Sequence, residues 1–312
     1  MVASALQPRP HPAAVLELLK PITWFAPMWA FMCGAVSVGV PLHERVLPLV
    51  VGIILAGPLV CATSQAINDW YDRFVDAVNE PNRPIPSGRI PGDWGFYIAL
   101  IGTGISLLVA HFLGPWVLAG AAVGLVLAWA YSAPPVRLKL NGWWGNGAVA
   151  LSYEGLAWFT GAAATLGGLP DWPVLAVLLL YSVGAHGIMT LNDFKAIEGD
   201  RAHGVRSLPV QLGPTRAAWT ACWVMAVPQV VVIALLLALS TDATVLGAAG
   251  GIAVLLAVQV RLMATFLADP RGRAPWYNAT GTTLYVLGML LAAIALGTIG
   301  ADGLSTGLGG AG

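Results

Sequence analysis

The chain has 312 residues, 57% of them hydrophobic and only 10% charged, a balance too apolar for a soluble globular domain. Fifteen basic and fifteen acidic residues cancel, so no net field draws the protein to nucleic acid, and its few charges must act through their placement. Apolar runs of about 20 residues recur, enough to cross a bilayer as helices, whereas the shorter alternating segments of a membrane β-barrel are missing.

In chain order, residues 1–20 read as a flexible polar arm that ends in an interfacial helix at 13–20. No basic region, apolar core and small-residue cleavage site follow one another there, so no cleaved signal peptide is expected. Nine spans follow, at roughly 22–40, 46–67, 94–113, 115–133, 145–166, 173–191, 217–239, 245–267 and 280–299. A single transmembrane domain therefore covers 21–299. The Gly-rich end, 300–312, has too little apolar content to pack and is expected to be flexible. Cys33, Cys61 and Cys222 all lie in apolar segments without paired spacing and read as small core residues.

Orientation follows from the basic residues. Arg73, Arg83 and Arg89 fall between spans two and three, and Arg137 and Lys139 between four and five. Lys195, Arg201, Arg206 and Arg216 fall between six and seven, and Arg261, Arg271 and Arg273 near or within the last link. With Arg9 and Lys20, this leaves only Arg45 of the fifteen on the opposite side. The positive-inside rule makes the rich side cytoplasmic, with the N-terminus inside and the C-terminus outside.

Two stretches on that side nearly repeat: N-D-W-Y-D-R-F-V-D at 68–76 and N-D-F-K-A-I-E-G-D at 192–200. Asn68 matches Asn192, Asp69 matches Asp193 and Asp76 matches Asp200, while Asp72 meets Ala196. On a helix, Asn68, Asp69, Asp72 and Asp76 fall within an arc of about 100°. Carboxylates so crowded repel one another unless a cation lies between them. Each motif precedes a basic, Pro-containing segment, R-P-I-P at 83–86 and R-S-L-P at 206–209. Four spans separate the copies, so the halves are expected to run parallel as pseudo-repeats around a central cavity, unlike inverted transporter repeats.

This pattern points to Mg²⁺ and a diphosphate. Mg²⁺ takes oxygen ligands and commonly bridges a few carboxylates to substrate phosphates. Asn68, Asp72 and Asp76 supply such ligands from the first half, and Asp193 and Asp200 from the second. Arg83, Arg137, Lys139, Lys195 and Arg206 are candidates to neutralise the remaining phosphate charge. Metal and cations together would stabilise a departing diphosphate, and an apolar cavity would shield an allylic carbocation from water. Glu154, well inside span five, is either a functional acid or one hydrogen-bonded to a neighbouring helix. His186 is either a metal or substrate contact or a packed histidine. Tyr131 offers its ring to a cation or anchors the interface.

The motif N-D-x-x-D-x-x-x-D at 68–76 resembles the first signature of the intramembrane UbiA-type prenyltransferases. Four further strings resemble the chlorophyll and bacteriochlorophyll synthase branch: N-E-P-N-R-P-I-P-S-G (79–88), Y-S-A-P-P-V-R-L-K (131–139), S-Y-E-G-L-A-W-F-T-G (152–161) and N-D-F-K-A-I-E-G-D-R-A-H-G-V-R-S-L-P-V (192–210). The resemblance spans essentially the whole chain beyond the arm. It implies an all-α membrane fold of nine helices around a cavity in a multi-pass inner (cytoplasmic or photosynthetic) membrane, its site opening to the cytoplasm. It implies Mg²⁺–diphosphate binding by Asn68, Asp72, Asp76, Asp193 and Asp200, the four aspartates being the catalytic set. Many relatives carry an acid where this chain has Ala196, which puts a symmetric two-metal arrangement in doubt. The implied substrates are a (bacterio)chlorophyllide and geranylgeranyl or phytyl diphosphate. Segment 152–161 and span four would wall the acceptor, making Tyr131, Tyr153, Glu154 and His186 candidate contacts. Besides the bilayer, pigment-assembly proteins are admitted as partners. Two alternatives remain, a prenyltransferase acting on a quinone precursor or haem, and a cation-coupled transporter. Transporter ion sites generally sit at mid-membrane, whereas these acids lie at span ends beside arginines.

Overall fold

Helices make up nearly all of the described chain, and no strand occurs among the described residues beyond an isolated bridge between Asn141 and Arg206. The structure, a computed structural model, describes residues 9–308, with side chains described through Asp302. Residues 1–8 of the expected arm and 309–312 of the expected tail lie outside the described residues.

Among the described residues, seven helices are long and apolar enough to cross a membrane: Leu42–Asn79, Trp94–Leu113, Pro115–Ser132, Trp172–Ala202, Pro214–Leu239, Ala243–Ala268 and Pro270–Asp302. Nine spans were expected, and two of them do not meet that measure. Phe25–Val36 is apolar but short. The stretch expected at 145–166 is helical in three consecutive segments, Gly142–Ala150, a π-helical Leu151–Leu156, and Ala157–Leu166.

The ends differ from the expected boundaries for local reasons. Within the stretch read as an arm, Pro12–Leu18 is a helix whose N-cap, His11, accepts from the Ala13 amide. Its Leu18 is fully buried against Ala66, Ile67 and Ala99. The last helix begins at Pro270 rather than near 280, because Asp269 accepts from the Gly272 amide and Pro270 fits the first helical turn. It continues to Leu308, through most of the stretch read as a tail.

Small residues bring helices close enough to build the bundle. A Cβ at Gly34 would overlap the carbonyl of Trp158, and one at Gly161 the carbonyl of Phe31, so Phe25–Val36 and Ala157–Leu166 pack backbone to backbone. The largest core cluster lies among Trp172–Asp193, Pro214–Leu239, Ala243–Ala268 and Pro270–Leu308. There Phe266 stacks on Tyr277, and Tyr285 donates to the carbonyl of Tyr181. This half is a packed block, and the open space of the molecule lies beside it.

Candidate active site

Pro58 shapes the entry to the first motif. It has no N–H, and its ring crowds the preceding turn, so an α-helix cannot pass through it undisturbed. The chain adopts a π-helical segment at Leu55–Cys61, then resumes a regular helix over Ala62–Asn79. That second helix carries Asn68, Asp69, Asp72 and Asp76, as the spacing requires.

The four residues divide into two pairs, Asn68 with Asp72 at Lys139 and Asp69 with Asp76 at Arg83, and Lys20 adds a closer contact to Asp69 at 2.6 Å. Lys139 Nζ lies 2.5 Å from Asp72 Oδ1 and 3.3 Å from Asn68 Oδ1, and Ser132 Oγ donates to the same Asn68 oxygen at 3.3 Å. Arg83 Nη1 lies 2.8 Å from Asp76 Oδ2 and 3.6 Å from Asp69 Oδ1, while its other nitrogens grip Glu80. The cations sit on turns next to the spans. Lys139 belongs to the turn Leu138–Leu140, and the left-handed Arg137 before it, with φ of 40°, reaches within 3.9 Å of Asp72. Burial lowers the Lys139 pKa from its ordinary value, and the Asp72 carboxylate works against that shift.

The second motif is built differently. Its helix, Trp172–Asp193, gives way to a 3₁₀ turn at Phe194–Ala196 before Ile197–Ala202. A 3₁₀ turn advances about 120° per residue, so Asp200 does not repeat the placement of Asp76. The turn ends at Ala196, where the first motif has Asp72. Asp193 Oδ2 accepts from Asn146 Nδ2 at 2.9 Å, and Asn192 Oδ1 accepts from Asn278 Nδ2 at 2.8 Å. Amides hold Asn192 and Asp193, while Arg271 pairs with Glu198 at 2.9 Å farther along the motif.

Both motifs meet one cavity of about 510 Å³, reached by Asn68 from the first and by Asn192 and Asp193 from the second. Tyr131 stands between the halves on the cavity wall, in the field of Asp193, Asp72 and Asp200 together. Deeper in, Tyr153 Oη accepts from Gln65 Nε2 at 2.9 Å and from Cys61 Sγ at 3.4 Å. Cys61 is thus buried, as expected of a core residue, and also faces the cavity. Most of the remaining wall is apolar and small, with Gly120, Gly124, Ala148 and Ala157 among its residues, and the exposed Ile22 and Phe25 stand at its edge.

Of the candidate acceptor contacts, Tyr131 and Tyr153 line this cavity and Glu154 and His186 do not. Tyr153 and Glu154 are neighbours within the π-helical turn Leu151–Leu156, yet only Tyr153 lines the cavity. The Glu154 carboxyl is buried, and its Oε2 has no hydrogen-bond partner among the described residues. His186 stacks beside Trp143 and bonds to its carbonyl at 3.2 Å. Among the candidate phosphate ligands, Arg83, Arg137 and Lys139 reach the first motif. Lys195 and Arg206 are exposed and join no ion pair among the described residues, and Arg206 instead lends its backbone to Asn141 and Gly142. Sequence reasoning missed Asn146 and Lys20. A polar amide within an apolar span was the available signal for Asn146. Nothing local marked Lys20.

Among the described residues, no three His, Cys, Asp or Glu groups gather closely enough to enclose a metal ion by themselves. The candidate donors Asn68, Asp72, Asp76, Asp193 and Asp200 offer only oxygens, and of these Asn68 and Asp193 line the cavity. Such a set fits a hard divalent cation that keeps waters and shares phosphate oxygens, rather than one caged by protein alone.

The profile of the UbiA prenyltransferase family matches residues 23–279. The bacteriochlorophyll synthase 33 kDa chain of Cereibacter sphaeroides is 58% identical over 94% of this chain and 96% of its own length. The chloroplastic chlorophyll synthase of Arabidopsis thaliana is 38% identical over 90% of this chain and 73% of its own length. A solved structure of a UbiA homologue from Archaeoglobus fulgidus, bound to GPP and Mg²⁺, superposes with a TM-score of 0.67 at 18% identity, covering 93% of this chain and 99% of that one. With that family match over most of its length, on a helical membrane architecture of the same fold, the chain belongs to the UbiA prenyltransferase family.

Proposed function

We propose that the chain transfers a geranylgeranyl or phytyl group from its diphosphate to the propionate of a (bacterio)chlorophyllide. The observation that carries this reading is the single cavity reached by both Asn-Asp motifs, charged at the motif end and apolar beyond it. The high identity to a protein named bacteriochlorophyll synthase supports the choice of acceptor.

In this reading, Asn68, Asp72, Asp76, Asp193 and Asp200 hold Mg²⁺. When bound, Mg²⁺ would supply the positive charge that offsets the charge of a departing diphosphate. Lys139 and Arg83, now on the acids, turn toward phosphate oxygens and stabilise the charge that accumulates as the C1–O bond of the prenyl group breaks. The apolar wall keeps water from the allylic carbon, and Tyr131 presents its ring beside it. The acceptor oxygen then bonds to C1, and diphosphate leaves. A carboxylic acid titrates near pH 4, so the propionate is already ionised at neutral pH and needs no strong base. The basic residues beside both motifs support a site opening to the cytoplasm.

The test supplies membranes containing the protein with prenyl diphosphate, Mg²⁺ and each candidate acceptor, and identifies the products. The esterified pigment supports the reading. Prenylation of a quinone precursor or haem, with the pigment acid untouched, contradicts it.

A further inference from the structure

Lys20 lies outside every motif, yet its ammonium is 2.6 Å from Asp69 Oδ1. Asp69 is 2% exposed, and its second oxygen is buried without a hydrogen-bond partner among the described residues. Its charge is therefore answered through Oδ1 alone, by Lys20 at 2.6 Å and by Arg83 at 3.6 Å. The same Arg83 nitrogen bonds Asp76 at 2.8 Å. These four residues form one line of charge from the amino-terminal segment to the first motif.

The segment is fastened from several directions. Leu18 is fully buried, Glu17 takes a two-pronged bond from Arg89 at 2.5 and 2.8 Å, and Trp24 Nε1 donates to the carbonyl of Leu19 at 2.8 Å. Lys20 itself has φ of 47° and ψ of 69°, the left-handed region that residues with a Cβ avoid. Thr23 Oγ1 donates to its carbonyl at 2.8 Å, and Ile22 and Thr23 then line the cavity. A backbone conformation this uncommon, locked by side-chain bonds, aims the ammonium at Asp69.

We propose that Lys20 is a positioning residue for the donor diphosphate: by neutralising Asp69 it leaves Arg83 free to leave Asp76 for phosphate. Without Lys20, the nearest cation to a buried, half-satisfied carboxylate is Arg83, which closes its 3.6 Å gap and is withdrawn from the site. Asp69 thus serves through Arg83 and is not itself a metal ligand. The inference rests on the prenyl diphosphate reading given above.

The test compares full-length wild type with Lys20→Met, Lys20→Arg and the double variant Lys20→Met/Asp69→Asn in the same membranes. Binding of a non-hydrolysable geranylgeranyl thiodiphosphate with Mg²⁺ and the two substrate KM values are measured, together with thermal stability. Lys20→Met should weaken donor binding and raise donor KM about tenfold, the size of one lost charge-assisted contact, with acceptor KM unchanged. Lys20→Arg should retain most of the affinity. The double variant should recover it, because Asp69 no longer competes for Arg83 and no charge is left buried alone. Lower thermal stability with unchanged donor KM would make Lys20 merely structural and overturn the proposal. A double variant that still binds weakly would also overturn it, since Lys20 would then touch the diphosphate directly. Wild type that binds no prenyl diphosphate at all would instead bring down the functional reading, and this inference with it.

Discussion

The Lys139 ammonium spans Asp72 and Asn68, 2.5 Å from the one and 3.3 Å from the other, across one turn of the motif helix. It arrives from the turn between two other helices, so the first motif is neutralised by a distant part of the chain. Arg83 does the same for Asp76 from the turn that follows the motif helix. In the proposed reading, both cations would exchange these acids for phosphate oxygens when the donor binds.

Replacing either of the outer acids should therefore cost activity without costing the fold. Asp72→Asn and Asp76→Asn keep size and hydrogen-bonding capacity while removing charge, and each should lower transfer by about 10²–10³-fold or more. Membrane insertion and detergent-solubilised stability should persist. Near-normal turnover in either variant would remove that carboxylate from the site.

Chelation supplies a second test. With only oxygen donors, and no protein cage of three acids among the described residues, the cation should exchange readily. EDTA should stop transfer, and added Mg²⁺ should restore it. Transfer that continues in EDTA would contradict the assigned role of all five oxygen ligands.

The Lys139 environment predicts a pH dependence. Burial favours its neutral form, so its pKa lies below the ordinary lysine value of about 10.4 despite the pull of Asp72. As pH rises through that lowered pKa, the proton leaves and the attraction for phosphate is lost. Donor KM should rise on the alkaline side at a pH below about 10.4. Lys139→Arg keeps its charge throughout and should flatten this limb. An unchanged limb in that variant would assign the titration to another group.

Asn146 holds Asp193 at 2.9 Å and stands on the cavity wall. Its replacement by Leu should reduce kcat about 10–100-fold, the range for residues that orient a metal-site carboxylate. Glu154→Gln should leave acceptor KM and kcat within about twofold, because the carboxyl does not line the cavity. A large change in acceptor KM would return Glu154 to the acceptor site.

Particular residues show what the sequence could reveal. The Asn68–Asp76 spacing was legible because a helix converts i, i+4 and i+8 into one face, and the helix Ala62–Asn79 is regular there. The second motif was less so, because the 3₁₀ turn at Phe194–Ala196 changes the angular step and no alternation of residue types announces it. Partners across the bundle, Lys139 on Asn68, Asn146 on Asp193 and Lys20 on Asp69, depend on helix packing that local pattern does not encode. Glu154 shows the reverse case. An intramembrane acid drew notice for its cost, while the π-helical turn that holds both it and Tyr153 left no mark in the residue pattern.

The central claim is that the paired motifs activate a prenyl diphosphate for a pigment acid. Its most direct measurement incubates membranes containing the protein with geranylgeranyl diphosphate, Mg²⁺ and chlorophyllide or bacteriochlorophyllide, then identifies the pigments by mass. The account predicts a prenyl ester formed with release of diphosphate, lost in Asp72→Asn. Unaltered pigment acid beside a prenylated quinone precursor or haem would contradict it.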